Sequence, residues 1–126
     1  MEDKKYLKLN DIEAYKIAFN LSNYVWDIAI KWDHFAKITL GEQLVDAVDS
    51  ISANIADGFG RYTKRDKIRF YRISHGSLYE SLDENEKANK RNLLKIEEYE
   101  HIFAELQKLP KLIHHLLNYT ENKLRY

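Results

Sequence analysis

Ser50-Ile51-Ser52-Ala53-Asn54-Ile55-Ala56-Asp57-Gly58-Phe59-Gly60 combines a buried-helix pattern, a polar stripe and a glycine-rich stop. Ile51, Ile55 and Phe59 continue an apolar line begun by Leu40, Leu44 and Val48, at the three- and four-residue spacing of one α-helical face. Beside it, small and polar residues recur at the same spacing: Gln43, Ala47, Ser50, Asn54, Asp57 and Arg61. Gly58 and Gly60 can adopt the left-handed conformation that closes a helix. The stretch therefore predicts a helix over about 40–58 with one core face and one polar seam, directed at another helix or subunit.

Working outward, Asn10 with Glu13 forms a capping-box pattern that opens a first helix over about 11–31, after a charged N-terminal tail. Ile12, Tyr15, Phe19, Ser22, Val25, Trp26 and Ala29 mark its buried face. Trp32 to Ile38 reads as a connection, and Thr39 with Glu42 as the capping box of the second helix. Thr63 with Asp66 caps a third helix, 64–90, which turns Phe70, Tyr71, Ser74, Leu78 and Leu82 inward. Gly76 inside it costs about 1 kcal/mol relative to alanine, which suggests a close backbone approach by a neighbour. A fourth helix, 96–123, carries Ile102, Leu106, Leu109 and Ile113, with a kink expected at Pro110. Four long helices with short connections predict one all-α domain over residues 1–126, an antiparallel up-down-up-down four-helix bundle.

Composition bounds the chemistry. The chain has 126 residues, with twenty Lys and Arg balanced by twenty Asp and Glu, so bulk charge favours no polyanion. Cysteine is absent, which excludes disulfides, thiol catalysis and thiolate metal sites. No signal peptide or membrane span is visible, and the reading is of a cytoplasmic protein with no membrane partner.

Glu98 and His101 form the E-x-x-H pair found in di-iron bundles, but such a site needs the pair twice with two further carboxylates. The serines lack a nucleophile elbow, and Gly58-Phe59-Gly60 lacks both the strand and the Lys-Ser/Thr ending of a phosphate loop. No catalytic residue, metal, cofactor or small-molecule substrate is assigned. The basic segment is the stronger candidate. Arg61, Lys64, Arg65, Lys67, Arg69 and Arg72 stand against Asp66 alone, with Tyr62, Phe70 and Tyr71 interleaved. Cations there could contact RNA or DNA phosphates while aromatics stack on unpaired bases.

Taken together, these segments resemble the four-helix-bundle family of 23S rRNA intervening-sequence proteins, from about Leu9 to Leu117. The resemblance rests on residues 12–26, on Gln43-Leu44 and Ala47-Val48, and on residues 50–58. It continues through Gly60-Arg61, residues 69–73, and Gly76-Ser77-Leu78-Tyr79-Glu80. It implies a non-catalytic bundle that assembles as a homopentamer, and kinship with the accessory protein of diversity-generating retroelements, which binds nucleic acid and a reverse transcriptase. This chain has Val45 and Asp46 where two basic residues are common in the family, and Asp57 in place of a glutamate. The structural or interface motif expected is Ser50, Asn54, Asp57, Gly58, Arg61, Gly76, Ser77 and Glu80. Within it, Asn54, Asp57 and Arg61 are expected to hydrogen-bond with Ser77 or Glu80 across the second and third helices.

Overall fold

The computed structural model describes residues 8–124; most of the charged N-terminal tail, residues 1–7, lies outside the described residues. Helix α1 (Glu13–Ala29) follows a single 3-10 turn, Leu9–Asp11. The Asp11 carboxylate accepts the Lys8 N–H at 2.8 Å. Ile12 takes the N-cap position and makes no side-chain cap bond. Asn10 and Glu13 therefore do not form the expected capping box, because the tight turn takes up Asn10 and leaves Ile12 as the residue before the helix.

The second rod begins earlier than its sequence suggests. Asp33 caps α2 (His34–Ala36) by accepting the Ala36 N–H at 3.1 Å. A π turn, Lys37–Gly41, then leads into α3 (Glu42–Gly60). Most of the expected connection is thus helical. Thr39 lies inside the π turn and donates its hydroxyl to the Phe35 carbonyl at 2.6 Å, so its spacing from Glu42 imitates a capping box within a continuing helix. Small size is needed at Gly41, where a Cβ would come 3.2 Å from the Ala36 carbonyl oxygen and 3.4 Å from the Trp32 ring.

The expected cap of the third rod is present. In α4 (Lys64–Lys90), the Thr63 hydroxyl accepts the Asp66 N–H at 3.2 Å. Asn92 closes this helix at φ 61°, with Asn92 N–H donating to Asn89 O and Leu93 N–H to Ala88 O at 2.9 Å. These are the paired bonds of a left-handed C-terminal cap. The fourth rod divides into α5 (Ile96–Gln107) and α6 (Leu109–Lys123). Pro110 has no N–H to donate one turn back, so the helix breaks at Lys108 and restarts with the proline in its first turn.

α3 and α4 share the most extensive contact. Ser74 lies opposite Ile51, and Lys67 opposite Gly58 and Phe59, so numbering falls along one helix as it rises along the other. The pair is antiparallel. Ser22 donates to Asp49 between α1 and α3, Lys64 reaches the Glu121 carbonyl between α4 and α6, and Asn85 reaches the Tyr99 carbonyl on α5. Every described element is helical, and the four rods make a four-helix bundle around Leu21, Leu44, Ile51, Ile55, Ile102 and Leu106. Each such side chain contributes about 1.5–3 kcal/mol by leaving water.

The core face of α1 differs from the sequence reading. Ala14, Ala18, Leu21, Val25 and Ala29 are buried, whereas Phe19 is 49% and Trp26 52% exposed. The alanines let neighbouring backbones approach closely, and the bulky rings are left on the flank.

Candidate functional site

The polar seam of α3 does not close onto α4 as expected. Asn54 is half-buried and donates to the Ser50 carbonyl of its own helix at 2.8 Å. Asp57 and Arg61 pair with each other at 3.0 Å, both substantially exposed. Ser77 is buried, and its carbonyl accepts the Ser81 hydroxyl at 2.8 Å; Glu80 is exposed. The antiparallel register explains the difference. With Ser74 beside Ile51, Ser77 lies level with Val48, about two turns from Asn54. A fully buried side-chain bond across the pair belongs instead to Ser74, which donates to the Ile51 carbonyl at 2.8 Å.

Glycine also takes a different role from the one expected. Among the described residues, nothing outside its own helix backbone lies within 4 Å of a Cβ built on Gly76, so the expected close approach is not made there. The close approach is at Gly58, where a Cβ would fall 2.7 Å from the Tyr71 ring and 3.2 Å from the Lys67 carbonyl oxygen. Burial pushes the Tyr71 hydroxyl up to about 12.

The six candidate cations separate into two groups. Lys67 turns inward and donates to the carbonyls of Phe59 at 2.8 Å and Gly58 at 3.4 Å, capping the end of α3. Desolvation lowers its pKa. Lys64 bonds the Glu121 carbonyl at 3.0 Å, and Arg61 is held by Asp57 with its guanidinium 4.4 Å from the Phe70 ring centre. Those three serve the bundle. Arg65, Arg69 and Arg72 instead surround a hollow of about 590 Å³ with Ile68, Ile73 and Glu121. Arg69 is 3.7 Å from Asp66 and also lies over Phe70. Phe70 is thus occupied by two guanidinium groups, and Tyr71 is in the core. Of the interleaved aromatics, only Tyr62 is largely exposed.

The E-x-x-H pair has structural work. Glu98 accepts the Lys95 N–H at 2.9 Å at the start of α5, while the His101 ring lies 4.4 Å from that of Tyr24. Burial, with Glu98 and Glu97 adding to it, raises the Tyr24 hydroxyl pKa. Among the described residues, no group of three or more His, Cys, Asp or Glu is placed to hold a metal ion, and no helix is long and apolar enough to cross a membrane.

A feature missed in the sequence lies on the α1–α3 side. Phe19, Trp26 and Ile30 are exposed along α1, and Phe35, 74% exposed, and Ile38 follow on the lead-in to α3. Trp26, Ile30, Ile38 and Val45 line a groove of about 320 Å³ with Glu42 and Asp46 among its polar residues. Its signal was available: α1 carries an alanine-rich stripe and an aromatic stripe side by side, more apolar surface than one core contact can cover.

The family model described as 23S rRNA-intervening sequence protein matches residues 10–115. The chain is also similar to a solved structure from Bacteroides thetaiotaomicron VPI-5482, described as a protein with unknown function from the S23 ribosomal protein family. That likeness has a TM-score of 0.77 at 17% identity and covers 89% of this chain and 99% of the other. No curated protein matches the sequence.

Proposed function

The chain belongs to the 23S rRNA-intervening sequence protein family, and from that membership we propose that it serves as a non-catalytic, homo-oligomeric helical scaffold in the cytoplasm. The observation that carries this reading is the exposed stripe of Phe19, Trp26 and Ile30, continued by Phe35 and Ile38. Aromatic and aliphatic side chains held together in water favour association, and aromatics are enriched where proteins meet. A ring of five copies is the assembly implied by the family resemblance. Light scattering coupled to size exclusion should give a multiple of the 15.0 kDa subunit mass. A single 15.0 kDa species at micromolar concentration would contradict the reading.

The alternative is an accessory protein that binds RNA or DNA and a polymerase partner such as a reverse transcriptase. What supports it is the exposed cluster of Arg65, Arg69 and Arg72 around one hollow, with Arg69 also 3.7 Å from Asp66; Lys64 and Lys67 are turned onto backbone carbonyls and Arg61 pairs with Asp57. Replacing the trio with alanine should weaken binding to a single-stranded oligonucleotide and flatten its salt dependence. Retention unchanged by salt or by the substitutions would count against this reading.

A further inference from the structure

We propose that two separate faces of this chain are the two halves of one interface: the apolar α1–α3 groove with Glu42, Asp46 and Asp49 receives the arginine face of α4 from a second copy. This rests on the self-assembly reading and names its contact surfaces.

The acceptor face is apolar at its centre and anionic at its rim. Trp26, Ile30, Ile38 and Val45 line the groove, together with Glu42 and Asp46; Lys37 is the one cation in that lining. Asp49 lies one turn beyond Val45 on α3 and accepts the Ser22 hydroxyl. Among the described residues, none of Glu42, Asp46 and Asp49 is in a salt bridge within the chain. The donor face is its counterpart in charge. Arg65, Arg69 and Arg72 flank Ile68 and the exposed Ile73, with Glu121 as the one anion of that lining.

Position determines how the faces can meet. One lies along the contact of α1 with α3, the other on the side of α4 that continues toward α6. A single chain cannot bring them together. A second copy can, through a head-to-tail contact that leaves each copy with one unused face; repetition of that contact makes a ring where the rotation between copies closes. The charge balance favours a copy of the same chain over a polyanion. Nucleic acid would neutralise the arginines but leave the Trp26 groove in water and its carboxylates repelled. A chain of zero net charge with an anionic rim at one groove and an arginine face elsewhere supplies its own complement.

The test uses two doubly substituted full-length chains, E42R/D46R and R69E/R72E, followed by light scattering with circular dichroism to confirm that each is folded. Each variant alone sets like charges against each other and should fall from the parent mass to 15.0 kDa. Mixing them should restore larger species, because each inverted face then meets an opposite charge. A chain carrying all four substitutions should assemble by itself. Two folded variants that keep the parent mass would overturn the proposal while leaving assembly intact. So would loss of assembly in either variant with no recovery on mixing or combination. If R69E/R72E assembles like the parent and loses only bound nucleic acid, the arginines serve a polyanion and the proposal fails. A monomeric parent would remove both this proposal and the assembly reading beneath it.

Discussion

Gly58 has the least freedom to change of the residues in the opening stretch. A methyl group there would meet the Tyr71 ring at 2.7 Å, and Tyr71 is itself buried. Gly58→Ala should therefore cost about 1–3 kcal/mol in a urea titration, as expected of overpacking. Gly76→Ala should go the other way, gaining about 1 kcal/mol in the isolated subunit, because its Cβ would enter open space within a helix. Glu84 provides a test by pH. Burial first, then the neighbouring Glu80, raise its carboxyl pKa, and Oε1 has no hydrogen-bond partner. The fold prefers the protonated acid, so its contribution is fully present below the ordinary glutamate pKa and is lost as pH rises through the raised value. Glu84→Gln should consequently be more stable than the parent near pH 7 and little different near pH 4. An equal gain at both pH values would refute that assignment. Sequence spacing made Gly58 legible as part of a helix terminus, but the expected left-handed closure by glycine is not made: no described glycine has positive φ, and α3 runs through Gly60 to an extended Arg61. The contact of Gly58 with Tyr71 was hidden because it depends on the α3–α4 register, which no local pattern encodes.

At the level of helices, local rules worked where one contact decided the outcome. Thr63 caps α4, and Pro110 breaks the last rod, both as residue type predicts. Because the break places Pro110 in the first turn of α6, Pro110→Ala should change stability by less than about 1 kcal/mol, against about 3 kcal/mol for a proline in a helix interior. Thermal unfolding would show the difference. Ser74→Ala removes the buried bond to the Ile51 carbonyl and should cost about 1 kcal/mol. Local rules misled where two structures share one spacing. Thr39 and Glu42 have the separation of a capping box, yet Thr39 is inside a π turn and Asp33 is the cap. On α1, large residues looked like the better core, but packing distance favoured Ala14, Ala18 and Ala29. Hydrophobicity ranks burial only after the separation between helices is known.

For the whole molecule, the family was legible from a dispersed set of residues, and the bundle followed from four periodic segments. The candidate contact faces were not, because each gathers side chains from two elements and its meaning depends on the opposite side of the fold. If charged rims guide assembly, raising salt from roughly 50 to 500 mM should weaken it several-fold by screening them. Sedimentation at graded salt would measure this, and a salt-insensitive mass distribution would favour a purely apolar contact. The π turn at Lys37–Gly41 adds a further consequence. It holds one residue more than a regular α-helical turn would need, so the chain carries a natural insertion beside the Ile38 groove. Deleting one residue there would leave a continuous helix but rotate the short α2 turn by roughly 100° relative to α3, with the non-helical link at residues 30–33 taking up the change before α1. Phe35 would be re-aimed while the four-helix core kept its register. A length variant of this kind would separate inheritance of the fold from inheritance of the partner.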